Sequence, residues 1–455
     1  MLRIRAGFFL SVLLLLPAVL HADTYYVATT GNDTNSGAIT APVRTFYQAQ
    51  VLAGAGDTIS VRGGIYNELV GIWANGTSTA RLTIAPYPGE HAIIDGTGTT
   101  ANSALVSIES EYLDFTGFEV RNATGYGIVC WHCSNTRIVN NRVHSSRRGA
   151  IYVGDDTFGT AHDVLVAGNN VYNNVLENEA RTWTSGWAQA ISIHRANNVT
   201  VRENTVYRNY SEGICFLLSD NGVAAANELF DNWAVGIYLD NAQSVTVDGN
   251  LVYSTGNQRY YRPSKPSSIS MPSYGIMMAN EDYPGEANVS NGNRIVNNIV
   301  VRQQWGIAFF VEDTGGMTNC SIANNTVYAT DDIDSTDANL LFIEYDAAST
   351  GNLVENNLFF RSSGATATMA NVTATGVTYR NNFWSTSPGS PAYNSGTDYT
   401  STSAQFVNPG GVNAEDYRLL STSSAINHGR TLTYVTTDYW RRGRGTTYEM
   451  GAWTY

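Results

Sequence analysis

The stretch NNVTVRENTVYRN, residues 197–209, reads as β-strand with a tight turn flanked by asparagine, and the chain goes on to repeat it. SVTVDGNLVYS follows at 244–254, and NCSIANNTVYAT at 319–330. The shared element is an asparagine, one variable residue and an apolar or aromatic pair. It recurs from Asn141, Asn169, Asn204, Asn227, Asn250, Asn298, Asn325 and Asn357 and, degraded, from Asn382. Two successive spacings, Asn204 to Asn227 and Asn227 to Asn250, are 23 residues, and the longer ones read as the same period with insertions. A period near 23 with short strands and no helical pattern is the signature of a parallel β-solenoid. One coil cannot bury its apolar face alone, and stacking makes the core continuous. Each coil adds about 4.8 Å, the strand spacing, so the asparagines are expected to stack as a ladder inside a bend, amide on amide.

A second column opens each coil: GIVCW (127–131), AIYVG (150–154), AISIH (190–194), GICFL (213–217), GIYLD (236–240), GIMMA (275–279), GIAFF (306–310) and LLFIE (340–344). Strand side chains alternate faces. With isoleucine inward, the outward residues are Val129 and Trp131, Tyr152 and Gly154, Ser192 and His194, Cys215 and Leu217, Tyr238 and Asp240, Met277 and Ala279, Ala308 and Phe310, then Phe342 and Glu344. Aromatic rings, a histidine and carboxylates on one outer face suit a sugar-binding surface. Excess length at 173–189 and 253–274 enters this column from one side and is expected to form walls around it, placing function on loops over a rigid scaffold.

Composition narrows the class. Of 455 residues only 14% are charged, with 42 glycines, 27 tyrosines and a net charge of −13. An acidic chain whose one lysine is Lys265 lacks the clustered cations that phosphate neutralisation needs, which excludes nucleic acid as a partner. MLRIR followed by an apolar run and then HADTYY reads as a secretory signal, residues 1–22, cleaved after Ala22. The run is too short for a membrane span, so the mature protein is expected to be exported, to periplasm or medium, as a soluble monomer. Four cysteines do not make a disulfide scaffold. Cys130 and Cys133 in CWHC lack the second pair of a zinc site and read as a local disulfide or buried packing, and Cys215 and Cys320 as buried packing residues.

At this point the chain resembles the secreted right-handed parallel β-helix proteins of the pectate-lyase-like superfamily. The segment 25–68 resembles their opening module, with a short capping helix near 44–53, and SSAINHG (423–429) with TYEMGAWTY (447–455) resembles their closing segment. The resemblance implies an all-β, single-stranded right-handed parallel β-helix of about ten or more coils. Its expected divisions are a cap at 23–56, the helix at 57–384 and a loop-rich closing segment at 385–455. It also implies a polysaccharide substrate, but the superfamily spans lyases, hydrolases, epimerases, esterases and adhesins, so the fold leaves the chemistry open.

The residues must choose. β-Elimination on a uronate needs a group that neutralises the carboxylate, a base for the C5 proton and an acid for the leaving oxygen. Arg195, Arg259 and Arg262 are candidate neutralisers, and His194, Tyr238 and Lys265 candidate bases. Asp240 is a candidate to orient His194 or, with Glu281 and Asp282, to hold calcium. Trp131, Tyr152, Trp183, Trp187, Tyr260 and Glu281 complete the expected sugar-binding set with Arg259 and Arg262. Carboxylates also follow the column at Asp155/Asp156, Glu281/Asp282, Glu312/Asp313 and Glu344/Asp346, with Glu212 at the rim. Such a stripe fits a calcium site, a catalytic carboxylate pair or solvated turns. Residues 194 and 240 fall two coils apart, about 9–10 Å, room for a sugar but not for a hydrogen bond. The expected function is a polysaccharide lyase acting on a uronic-acid chain. The alternatives are a glycoside hydrolase, an epimerase and a non-catalytic matrix protein. Lyase against hydrolase turns on whether arginines or carboxylates dominate the groove floor.

Overall fold

The computed structural model describes residues 22–100, 104–263, 269–287, 289–312, 314–333, 335–344, 349–403 and 406–455. Three long parallel sheets run its length, of 13, 11 and 13 strands. Successive strands go to successive sheets. Ile191–His194, Thr200–Arg202 and Thr205–Tyr207 make one coil, and Ile214–Leu217 then pairs in register with Ile191–His194. The register aligns Ile191, Ile214, Ile237, Ile276 and Ile307, all fully buried. The inward and outward assignment of the second column is therefore correct.

The asparagine ladder is present in full. Asn141, Asn169, Asn204, Asn227, Asn250, Asn298, Asn325, Asn357 and Asn382 are each at most 1% exposed. From Asn141 to Asn357, the main-chain N–H and the side-chain amide of each donate to Oδ1 of the asparagine one coil on, for example Asn204 to Asn227 at 3.0 Å for both. The same amide reaches a carbonyl one coil back, Asn227 to Val201 at 2.9 Å. The bend's open polar groups are thereby satisfied where water cannot reach. The residue before each ladder asparagine is left-handed, for example Asn140, Glu203 and Asn297 at φ 55° to 57°. Gly168 and Gly249 (φ 64° and 65°) occupy two of these positions, where a side chain would be strained.

The cap helix is Phe46–Leu52, shorter than the sequence suggests, with Thr45 as its N-cap accepting from Gln48 N–H at 3.2 Å. Gln50 fastens it to the first coil through Gly71 O and Trp73 N–H. The solenoid exceeds its expected limits. Thr24–Val27 in the cap pairs with Thr58–Val61, and Tyr399–Thr400 in the closing segment pairs with Phe383–Trp384. Cys130 and Cys133 form a disulfide, and Cys215 and Cys320 are free and buried.

Two faces of the solenoid are treated differently. Outside the asparagine strands, His144, Tyr172, Tyr207, Phe230 and Tyr253 stack in a file 4.7–5.1 Å apart. The closing segment then covers the same sheet with Phe406, Tyr417, Leu419, Met450 and Trp453. Arg444 pins it, 9% exposed, through Asn297 Oδ1 at 2.9 Å and Gly451 O at 3.1 Å. That leaves the 11-stranded sheet as the face on which the insertions stand.

Candidate active site

The outer side of the 11-stranded sheet carries a buried carboxylate pair. Asp240 ends the strand Val235–Asp240, and Glu281 directly follows the neighbouring strand, Tyr274–Asn280. The Tyr238 hydroxyl donates to Glu281 Oε1 at 2.5 Å. The Tyr283 hydroxyl bridges the pair, 2.6 Å from Asp240 Oδ2 and 3.1 Å from Glu281 Oε2. Asp240 is 3% exposed, and its Oδ1 is buried without a hydrogen-bond partner. Burial pushes its carboxyl well above the usual carboxylate range, and the charge of Glu281 adds to the rise. Tyr283 belongs to a third insertion, in NEDYPGE between the columns at Gly275 and Gly306. That 31-residue spacing is the signal that could have found it.

A second set lines the opposite edge. Glu212 is 5% exposed and accepts the Trp187 indole N–H at 2.6 Å. Burial pushes its carboxyl up to about 7. Trp187 meets Trp233 edge to face at 5.2 Å, and the Arg262 guanidinium lies 5.1–5.8 Å from the ring centres of Trp187, Trp233 and Tyr274. Trp233 Nε1 and Arg262 Nε are buried without a partner, which leaves two unsatisfied donors among these rings.

The remaining expected residues divide. His194 Nδ1 lies 2.7 Å from the Tyr152 hydroxyl, so Tyr152 and not Asp240 orients it. Burial lowers the basicity of His194, and the neighbouring Arg195 lowers it further. Tyr152 stacks on Trp131 at 6.0 Å. Arg195 is engaged by Glu286 at 2.7 Å and by Asp156 O at 3.0 Å. Arg259 and Tyr260 do not face the groove. Arg259 binds Glu179 at 2.6 Å and the Tyr210 hydroxyl at 2.9 Å, Tyr260 packs on Tyr210, and Arg181 donates to Arg259 O. The two insertions thus fasten to each other as one wall through Glu179–Arg259 and Arg181, with Tyr210 of the coil between them packed under Tyr260. Trp183 is exposed on that wall, 38%. Lys265, Asp313 and Asp346 lie outside the described residues, as does 1–21 of the expected signal.

Calcium fits this arrangement poorly. It takes six to eight converging oxygens, whereas tyrosine hydroxyls already hold Asp240 Oδ2 and both carboxylate oxygens of Glu281. Asp282 stands apart, exposed, with its N–H donating to Glu312 at 3.3 Å. Among the described residues no three histidine, cysteine, aspartate or glutamate side chains gather as a metal site.

A family model, the Pel9A-like right-handed β-helix region, matches residues 25–298. The chain belongs to the Pel9A-like right-handed β-helix family. It is 25% identical over 378 residues to the uncharacterized protein YwoF of Bacillus subtilis, covering 74% of each chain. It is 36% identical over 136 residues to pectate lyase PEL9 of Emericella nidulans, covering 27% of this chain and 33% of that one. Among solved structures, the complex of XylC with xylose matches with a TM-score of 0.64 at 12% identity, over 95% of this chain and 98% of that one. Pectate lyase Pel9A matches with a TM-score of 0.55 at 17% identity, over 95% and 96%. Both structures share the fold.

Proposed function

We propose that the protein is a secreted carbohydrate-active enzyme that hydrolyses a glycosidic bond with Asp240 and Glu281. The observation that carries this is the bridging Tyr283 hydroxyl. Its two contacts keep the bridged carboxylate oxygens within about 5.7 Å of each other, short of the inverting range and compatible with the roughly 5–5.5 Å of retaining glycosidases. Environment assigns the roles. Asp240, held protonated by burial, is the acid, and its Oδ1, which has no hydrogen-bond partner, is the atom that gives a proton to the leaving oxygen once Asp240 is uncovered. Glu281, steadied by two tyrosine hydroxyls, is the nucleophile that attacks the anomeric carbon and forms the glycosyl-enzyme. Asp240, now ionised, takes a proton from water, which displaces Glu281 with net retention. Of the three candidate neutralisers, Arg195 is paired with Glu286, Arg259 faces the wall, and Arg262 lies among the rings of Trp187, Trp233 and Tyr274.

β-Elimination is the second reading, favoured by the family and by the partial match to a pectate lyase. In it His194, beside Tyr152 and Arg195, is the base. The deciding experiment incubates the mature protein with neutral and uronic polysaccharides. It follows reducing ends together with the ultraviolet absorbance of an unsaturated uronate. New reducing ends without absorbance support hydrolysis, and the anomer first formed, read by NMR, reports retention. Both signals together sink the paired-carboxylate mechanism in favour of His194. Silence in both across the panel favours a binding role. The sequence of residues 1–22 supports export, which appearance of the protein in culture medium or periplasm would test.

A further inference from the structure

Asp240 is nearly sealed, and Tyr283 lies across it, so the proposed acid cannot reach a sugar in this arrangement. Beneath the pair lies a sheet fixed by parallel ladders on both sides. On its outer side, among the described residues, Tyr283 in a turn contacts both carboxylates. Tyr283–Glu286 closes through Glu286 N–H to Tyr283 O at 3.0 Å, with Pro284 second and Gly285 third at φ 85°, as a type II turn requires. Pro284 and the closing hydrogen bond stiffen it, so it moves as one piece.

Its two ends are tethered differently. Tyr283 holds the pair, while Glu286 reaches back three strands to Arg195, at the end of Ile191–His194. Arg195 and Glu286 side chains are 29% and 33% exposed, so water reaches this ion pair and it holds the turn only modestly. Arg195 is itself held in place, left-handed at φ 51° and bonded to Asp156 O.

We propose that the Tyr283–Glu286 turn is a gate over the Asp240–Glu281 pair and that the Arg195–Glu286 ion pair is its latch. The proposal rests on the paired-carboxylate reading. With the latch closed, Tyr283 covers Asp240 and shares its hydroxyl between the carboxylates. With the latch released, the turn swings as a unit, Tyr283 leaves, and Oδ1 of Asp240 meets the glycosidic oxygen. Arg195 and Glu286 are positioning residues, acting through Tyr283.

Hydrogen-exchange mass spectrometry on the full chain tests this without substrate, comparing Glu286→Gln, Arg195→Met and Arg195→Lys with the parent. Amides of 281–287 are expected to exchange about tenfold faster in the first two variants and near the parental rate in the third, with the solenoid strands unchanged. In the same variants KM for the cleaved polysaccharide falls while kcat does not rise, because the open form is more populated. Parental exchange at the turn in both unlatched variants overturns the gate. Faster exchange there, with Asp240→Asn still turning over at the parental rate, supports the gate and overturns the paired-carboxylate reading.

Discussion

The Trp187 indole donates its N–H to Glu212 across 2.6 Å and so ties the first insertion to the turn that opens Ile214–Leu217. Burial pushes the Glu212 carboxyl up to about 7, against 4.5 ordinarily, so it keeps its proton below that pH. The folded state therefore keeps a proton that the unfolded chain releases at lower pH. Stability from neutral Glu212 is full below about pH 4.5 and is lost as pH rises through about 7. Glu212→Gln keeps an acceptor for Trp187 and cannot ionise. It is expected to remove about 3 kcal/mol of that pH-dependent loss, seen as a flatter melting temperature across the interval. An unchanged slope would mean that Glu212 is ionised in the fold.

Asp240→Asn and Glu281→Gln are expected to lower kcat by about 10²–10⁴-fold each with the melting temperature preserved or raised. Azide is expected to restore turnover to Glu281→Ala, where a small anion can replace the nucleophile, but to leave a His194→Ala variant unaffected. Loss of activity in His194→Ala alone would point to elimination instead.

Removing one rung tests the ladder. Asn227→Ala strips the acceptor from Asn204 N–H and the donor from Val201 O, all buried. Two orphaned groups predict about 2–4 kcal/mol of destabilisation, measurable by urea unfolding. A loss below about 0.5 kcal/mol would mean that water enters the bend.

Arg259→Ala addresses the wall. Its ion pair with Glu179 is more than half exposed on both sides, so the expected stability change is under about 1 kcal/mol. Proteolysis within 253–274 is expected to quicken while KM holds. A large rise in KM would return Arg259 to the substrate.

Much of this was legible because a solenoid writes its geometry as a period. Asn204 and Asn227 are 23 residues apart in sequence and hydrogen-bonded in space, so the ladder and the outward column follow from spacing alone. That register put Tyr238 and Asp240 on the outer face, with Glu281 following the next strand of the same column. Tyr283 was not, since its place over Asp240 depends on how an insertion folds back, which no period records. Arg259 and Tyr260 misled for the same reason: aromatic and cationic residues on an insertion suit a sugar or a neighbouring insertion equally well, and burial against Tyr210 decided it.

The ladder also has a last rung of a different kind. Beyond Asn382 the acceptor is Asp398, whose Oδ1 takes the Asn382 N–H at 3.0 Å and whose Oδ2 takes the Trp384 indole at 3.0 Å. Every asparagine receives and passes on. A carboxylate has no amide hydrogens and only receives. A further coil, from this chain or from the end of another molecule, would find nothing offered to it by that side chain. The substitution of one atom type thus acts as punctuation: it ends the message, and it guards an open-ended stack of strands against growing into a fibre.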